Sequence, residues 1–218
     1  MGLDFTFVLE YVPFLLKGAG IALLVSGVAI GLGIVFGLSL CFVVISKNRV
    51  LSVLGRTYQS VFRGTPILVQ LLVVYYSLPA LGIDAPPLVA AIAALTMNAS
   101  AFQAEIYRGG FMAIPKGQLE ATRVLGIGIW RARVRILIPQ MMRSVIPPLV
   151  NDSVSILKNS SLISVIAVVD LMRVSQQIAA VTFRPAEIYI VAGAMYLIMN
   201  LMLAWMGRIS ERRFSRHL

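Results

Sequence analysis

The fold is decided by residues 18–45, GAGIALLVSGVAIGLGIVFGLSLCFVVI, a run of 28 residues without a charged side chain. At about 1.5 Å per residue, a helix of this length exceeds the roughly 30 Å hydrocarbon core of a bilayer. The run therefore predicts a long or tilted transmembrane helix. Asp4 and Glu10 precede it instead of a basic cluster, and it is too long for a signal-peptide core, so a signal peptide is not expected.

The composition extends this prediction to the whole chain. Of 218 residues, 59% are hydrophobic and 13% are charged, and the mean hydropathy is +0.88. Soluble domains carry about 45–50% apolar and about 25% charged residues, so a disordered chain, a disulfide scaffold and an ordinary cytosolic enzyme are excluded. We predict an all-α polytopic membrane protein in which residues 1–218 form one domain. Its five transmembrane helices are expected at residues 14–46, 60–83, 85–108, 144–170 and 186–208.

The basic residues predict the orientation of these helices, because cytoplasmic loops are enriched in lysine and arginine. With the N-terminus outside and the C-terminus inside, 15 of the 19 basic residues fall in inner loops or the C-terminal tail. Lys17, Arg173 and Arg184 are the basic residues that remain outside. We predict this N-out/C-in topology, which also explains the net charge of +10 without a nucleic-acid partner.

Neither a metal centre nor a catalytic triad is expected. The chain has one cysteine, Cys41, within an apolar run, and one histidine, His217, at the penultimate position. The phosphate-binding pattern GxxxxGK[ST] is absent from the sequence. The chain is therefore not expected to be an enzyme or to hold a cofactor.

The longest segment between predicted spans, residues 109–143, contains a helix of its own. Residues 118–125 are good helix formers, and Gly126 is suited to end the helix in a left-handed conformation. Arg131, Arg133 and Arg135 follow at alternate positions. Two interpretations stay open: a basic helix that lies on membrane lipid head groups, and a docking helix for a cytoplasmic partner.

The order of residues in this segment resembles the EAA loop of bacterial ATP-binding-cassette (ABC) importer permeases. Glu120-Ala121-Thr122 precedes Gly126 and the later Ile136-x-Ile138-Pro139, where the family has Glu-Ala-Ala, Gly and Ile-x-Leu-Pro. Thr122 and Ile138 are the two departures. The sequences at 63–66 (RGTP), 104–110 (AEIYRGG), 147–152 (PPLVND) and 157–162 (LKNSSL) resemble permeases for polar amino acids of the histidine, arginine, glutamine, glutamate, cystine and opine type.

This resemblance implies a type I ABC importer (MetI-like) fold with a cytoplasmic coupling loop at 109–143. The implied partners are two ATPase subunits that carry ATP and Mg, a second permease subunit in a homodimer or heterodimer, and a periplasmic or tethered solute-binding protein. The implied function is the translocation of a polar or charged amino acid across the bacterial inner membrane by alternating access. Glu120, Ala121, Arg123 and Gly126 are the implied ATPase-coupling residues.

Polar residues within the predicted spans are candidates for the substrate path. A charge at the bilayer centre costs about 2.5–3.5 kcal/mol on insertion scales, so Asp152 and Lys158 must face protein or water. Helical spacing places two sets on single faces, namely Asp152, Ser155 and Asn159 in the fourth helix and Asn98, Phe102 and Glu105 in the third. We predict that all of these except Glu105 contact the substrate. For Asp152, the alternative is a helix cap at the membrane edge.

Glu105 is expected in a structural or gating ion pair, with Lys158 or with Arg63 as its partner. Two glycine pairs in the first helix, Gly27/Gly31 and Gly33/Gly37, predict close helix packing.

Two other classes of function stay open. The first is a stand-alone secondary transporter or channel for small polar solutes, which would leave the Glu-Ala-Thr loop without a role. The second is an intramembrane enzyme that uses Ser155 and Lys158 as a dyad.

Overall fold

A computed structural model describes residues 4–216, without the side chains of Lys116, Leu119, Arg143, Ser210 and residues 212–216. His217 lies outside this range. Within it, the regular secondary structure is helical throughout. The helices are α1 (Val8–Val44), α2 (Arg49–Gly64), α3 (Ile67–Ala80), α4 (Pro87–Met112), α5 (Lys116–Val124), α6 (Ile129–Ala132), α7 (Ile138–Asn159), α8 (Leu171–Thr182) and α9 (Pro185–Arg216). A π-helical turn (Arg133–Leu137) joins α6 to α7, and a 3₁₀ helix (Ser160–Ile166) follows α7.

Three helical segments are each long and apolar enough to cross a membrane: α1, α4 and the part of α9 from Pro185 to Ile209. Two further segments reach the necessary length only as bent pairs. Helices α2 and α3 meet at a bend of 112°, and Ser144–Ile166 meets α8 at 53°. Length and composition therefore allow three to five spans among the described residues, and the predicted five is the upper end of this range.

The second predicted span, residues 60–83, is not one helix. The chain breaks after Gly64, because Pro66 lacks an N–H donor and restricts the residue before it to an extended conformation. Thr65 has φ −116° and ψ 148°, and α3 begins at Ile67. With 14 residues, α3 is only about 21 Å long and does not reach across a bilayer by itself.

The segments predicted as 109–143 and 144–170 also differ from the structure at their boundary. Helix α4 continues to Met112, and α6, the π turn and α7 form one helical run into the fourth predicted span. The π turn ends just before Pro139, which cannot donate a hydrogen bond within the helix. At the far end, Ala167 adopts a left-handed φ of 63° before α8. The C-terminal part of the predicted coupling loop is therefore continuous with the fourth predicted transmembrane helix.

Helices α1 and α4 pack closely because two glycines of α1 face α4. A Cβ placed on Gly33 would lie 2.9 Å from Cβ of Ala99, and one on Gly37 would lie 2.9 Å from Cβ of Gln103. The predicted Gly33/Gly37 packing is confirmed. Gly27 and Gly31 have open space around them, so the prediction of close packing for this pair is wrong within the chain.

The buried side chains form separate clusters along the helices. One joins α1, α4 and α7 through Cys41, Tyr107 and Met141. Another joins α1, α8 and α9 around Leu15, Leu171 and Ile188. In a membrane these contacts stabilise the fold mainly by van der Waals packing, because lipid tails are as apolar as the side chains.

Candidate functional site

Helix α5 ends with the cap that its sequence predicts. Gly126 has φ +66°, its N–H donates to the carbonyl of Arg123 at 3.1 Å, and the N–H of Ile127 donates to the carbonyl of Thr122 at 2.9 Å. These two bonds define a Schellman motif, in which glycine is favoured because the left-handed conformation carries no Cβ penalty. The motif fixes where α5 ends and turns the following chain towards α6.

Helix α5 and the turn after it present an uncovered surface. Glu120, Ala121 and Arg123 are exposed on the helix. The apolar residues that follow are exposed as well: Val124, Leu125, Ile129 and Trp130, with exposed fractions of 87%, 73%, 56% and 64%. Contiguous exposed apolar side chains with a polar rim are typical of a protein–protein interaction site. We call these four residues and the exposed side of α5 the coupling surface.

An aromatic cluster joins the coupling surface to α1. The ring of Phe42 lies 5.9 Å from the ring of Trp130 and 5.6 Å from that of Phe111, measured between centroids. The guanidinium of Arg133 lies 5.0 Å from the Phe42 centroid, within cation–π range. Sequence reasoning missed Phe42, because its neighbours come from segments about 70–90 residues away.

Asn98 holds the break between α2 and α3. Its side-chain nitrogen donates to the carbonyl of Phe62 at 3.2 Å and to Oε1 of Gln70 at 2.9 Å. Gln70 in turn donates to the carbonyls of Phe62 and Thr65 at 2.7 and 2.9 Å. The amides therefore pair the carbonyls that the broken helix leaves without intrahelical donors. Asn98 is buried and both of its described hydrogen bonds are internal, which gives it a structural role; its contact with the substrate stays a prediction.

Asp152 is half-buried and is held by a glutamine of α4. Nε2 of Gln103 donates to Oδ2 of Asp152 at 3.0 Å. Gln103 is fully buried against Gly33 and Gly37 of α1, and its Oε1 has no hydrogen-bond partner among the described atoms. Gln103 thus connects α1, α4 and α7. Sequence reasoning missed this residue, although a glutamine within an apolar span is itself a signal of a buried polar contact.

Glu105 pairs with two arginines and not with Lys158. Nε of Arg108 donates to Oε2 of Glu105 at 2.9 Å, and Nη1 of Arg63 lies 3.7 Å from the same oxygen. Arg63 also lies 5.7 Å from the ring centroid of Phe102. Lys158 is exposed and forms no ion pair with any described residue. Of the two partners that the sequence left open for Glu105, the structure supports Arg63 and adds Arg108.

The remaining candidates lie on an open face of α7 or beside it. From residue 144 onwards, the exposed positions of α7 recur at helical spacing, and they are Ser144, Pro148, Asn151, Ser155 and Lys158. Ser155 donates its hydroxyl to the carbonyl of Asn151 at 3.0 Å, whereas Asp152 and Asn159 are only partly exposed. Phe102 of α4 is 38% exposed. The three residues predicted to share one face of α7 therefore differ in exposure: Ser155 is exposed, whereas Asp152 and Asn159 are partly buried.

The chain matches a known family over most of its length. Residues 29–216 match the model of the binding-protein-dependent transport system inner membrane component family. The chain belongs to this family. Family membership implies a multi-pass membrane permease that works with ATPase and solute-binding partners.

Similar proteins support this assignment. The arginine transport system permease protein ArtQ of Bacillus subtilis (strain 168) is 36% identical over 216 residues, covering 99% of each chain. A putative glutamine transport system permease protein, GlnP of Rickettsia conorii, is 32% identical and covers 96% of this chain and 98% of its own. A chain in the crystal structure of an amino acid ABC transporter with histidines is 36% identical with a TM-score of 0.89. That match covers 98% of this chain and 100% of the other.

For this permease, the geometry separates two groups of residues. The coupling surface is uncovered and joined to α1 and α7, as a docking surface for a partner requires. Among the polar residues of the spans, one set forms hydrogen bonds inside the protein, namely Asn98, Gln103 and Glu105. The second group is exposed and consists of Ser155 and Lys158. The second group is suited to contact a solute or another subunit.

Proposed function

We propose that this chain is the permease component of an ABC importer for amino acids, and that it moves the substrate by alternating access. The observation that carries the proposal is the coupling surface, a capped helix with an uncovered apolar end that is continuous with α7. A stand-alone secondary transporter or channel would leave this surface without a partner. The amino-acid substrate rests on the names of the similar permeases, and a polar or charged amino acid fits the arginine and glutamine systems.

We further propose five spans with the N-terminus outside and the C-terminus inside the bacterial inner membrane. The bent pairs supply the second and fourth crossings, and the distribution of basic residues supports the orientation. In this topology the coupling surface lies in the cytoplasm.

The proposed assembly has two ATPase subunits, two permease subunits and a solute-binding protein. ATP and Mg are bound on the ATPases, which hydrolyse ATP, and this chain supplies no catalytic residue. The second permease subunit is another copy of this chain or a related one. The open polar face of α7 supports a partner there, because exposed polar groups within a span must face protein or water.

In the proposed coupling mechanism, α5 is seated in a groove of the ATPase. Glu120, Ala121 and Arg123 contact the groove. Gly126 ends α5 and fixes the direction in which the chain leaves the helix. When the ATPases close, their movement reaches α1 through Phe42 and α7 through the helical run that begins at Ile129. The permease then behaves as a rigid body that is displaced at one end.

The proposed substrate path runs along the open face of α7. Asp152 accepts the ammonium or a cationic side chain of the substrate, Ser155 adds a hydroxyl, and Phe102 adds an apolar wall. Asn159 lies at the next turn of the same helix. Arg63 and Glu105 act as a structural pair that ties α2 to α4 during the movement.

The test is the ATPase activity of the complex, reconstituted in lipid vesicles with its ATPase and binding protein. A panel of amino acids is added at a fixed ATP concentration, and we expect a few polar amino acids to stimulate hydrolysis while apolar ones do not. Uphill uptake by the purified chain without a second polypeptide would overturn the proposal in favour of a secondary transporter.

A further inference from the structure

A polar cavity of about 490 Å³ lies between α2 and the C-terminal ends of α1 and α4. Arg56, Ser60 and Arg63 of α2 form one wall, and Glu105 and Arg108 of α4 form another. Val44 and Met112, the last residues of α1 and α4, contribute apolar surface. The cavity is outside the coupling surface and does not include Asp152.

The cavity carries an uncompensated positive charge. Three arginines face a single carboxylate, and Glu105 is already bonded to Arg108 and paired with Arg63. Arg56 has no ion pair or hydrogen bond with any residue of the described part of the chain. The net charge of the lining is therefore +2. Guanidinium groups in this arrangement favour a phosphate, whose oxygens accept bidentate hydrogen bonds.

The position of the cavity indicates where that phosphate comes from. It lies where two apolar helices, α1 and α4, come to an end, which is the depth of lipid head groups in a bilayer. Helix α2 has a second, apolar side that is uncovered, with Val50, Leu54 and Val61 exposed by 67%, 61% and 51%. A phospholipid satisfies both features, because its phosphate fits the arginines and its acyl chains cover the apolar side of α2.

We propose that this cavity binds the head group of an anionic phospholipid and thereby fixes α2 against α1 and α4. The proposal goes beyond substrate transport and holds whether or not an ATPase is bound. Arg56 is the residue that tests it, since it lines the cavity and has no role in the coupling surface or the substrate path.

The test measures lipid binding to the full chain purified in a neutral detergent. Dioleoyl phosphatidylglycerol is titrated, and the bound lipid is counted by native mass spectrometry for the wild type, Arg56→Gln and Arg49→Gln. Arg49 is the matched control, because it is exposed on the same helix but does not line the cavity. Each arginine near a membrane surface contributes about 1 kcal/mol to the binding of an anionic lipid, so we expect about fivefold weaker binding for Arg56→Gln and no change for Arg49→Gln.

Two further arms distinguish the sources of the phosphate. Dioleoyl phosphatidylcholine has the same chains without net charge, and inorganic phosphate has the charge without chains. We expect weaker binding of both than of phosphatidylglycerol. Equal effects of the two arginine substitutions would overturn the assignment to this cavity, and inorganic phosphate that competes as strongly as the lipid would show a free-anion site instead.

Discussion

A buried amide within a membrane span is used either to hold the fold or to contact a solute, and its partners decide between the two. Asn98 donates to Phe62 and Gln70 across the break between α2 and α3, so both of its N–H groups are used inside the protein. The hydroxyl of Ser155, in contrast, bonds only to a carbonyl of its own helix and is exposed. The two residues should therefore respond differently to substitution.

Replacement of Asn98 by leucine should destabilise the permease without changing which amino acid it transports. The substitution leaves Oε1 of Gln70 without its donor, and an unpaired buried acceptor costs about 1–3 kcal/mol. We expect a thermal midpoint several degrees lower in detergent, with Ser155→Ala as a control close to the wild type. An unchanged midpoint together with lost substrate stimulation of the ATPase would instead support Asn98 as a substrate contact.

The predictions for single residues succeeded where the deciding chemistry is local. The left-handed end of α5 follows from Gly126 itself, and the structure confirms it. The role of Asn98 depends on Phe62 of α2, which lies 36 residues earlier in the chain. For Glu105 the sequence left two partners open, and the observed one, Arg63, lies 42 residues earlier. Helical spacing placed both residues on the same face of α4, but spacing within one helix carries no information about which helix covers that face.

At the scale of helices, the end of α5 and the packing of α1 depend on glycines that have near neighbours suited as controls. Gly126 has a positive φ, whereas Gly128 does not, and both have open space where a Cβ would stand. A Cβ placed on Gly33 would contact α4, whereas a Cβ placed on Gly27 would have no neighbour within 4 Å. Comparison within the first pair isolates the effect of the positive φ, and comparison within the second pair isolates the effect of close packing, because a glycine is lost in every variant.

Gly126→Ala should weaken the association with the ATPase, and Gly128→Ala should not. An alanine in the left-handed conformation costs about 1–2 kcal/mol, so the capped form of α5 becomes about tenfold less populated relative to uncapped forms. The measurement is the fraction of ATPase that copurifies with the permease at equal membrane expression. Equal copurification of the two variants would argue against a docking role for the capped helix.

Gly33→Val should destabilise the contact between α1 and α4 much more than Gly27→Val. A side chain at Gly33 meets Ala99 and Gln103 at about 3 Å, and overpacking of this kind costs about 1–3 kcal/mol. Thermal unfolding of the two variants in the same detergent tests this difference. If Gly27→Val proves the more damaging substitution, that position packs against a second subunit instead of lipid.

The breaks within the predicted spans were less predictable from sequence than the apolar character of those spans. The uncharged run at 64–83 shows only that the segment is apolar, so residues 60–83 are predicted as one span. The bend at Thr65 and Pro66 is stabilised by Gln70, which lies within residues 60–83, and by Asn98 of α4, which does not. A proline near the start of a helix is ordinarily tolerated, and the local sequence alone does not reveal that helix α2 continues on the other side of it.

At the scale of the whole molecule, the coupling surface and the open face of α7 belong to one mechanical unit. The helical run from Ile129 to Asn159 leads from the coupling surface into the fourth predicted span, and Phe42 joins the same surface to α1. Gln103 then links α1, α4 and α7 deeper in the bundle through Gly33, Gly37 and Asp152. In the proposed mechanism, a displacement of α5 passes through the four-residue turn at 125–128 into the helical run that begins at Ile129, and so reaches the helices that carry the proposed substrate path.

The topology that this mechanism requires is tested by two single cysteines with equal exposure. Val124 and Phe183 are each 87% exposed, whereas the native Cys41 is fully buried and gives little background labelling. With the N-terminus outside and five spans, Phe183 lies outside and Val124 lies in the cytoplasm. A membrane-impermeant maleimide added to intact spheroplasts should therefore label Phe183→Cys at once and Val124→Cys only after the membrane is permeabilised. The opposite order of labelling would place the coupling surface outside the cell, where no ATPase subunit can reach it, and the proposed mechanism would be wrong.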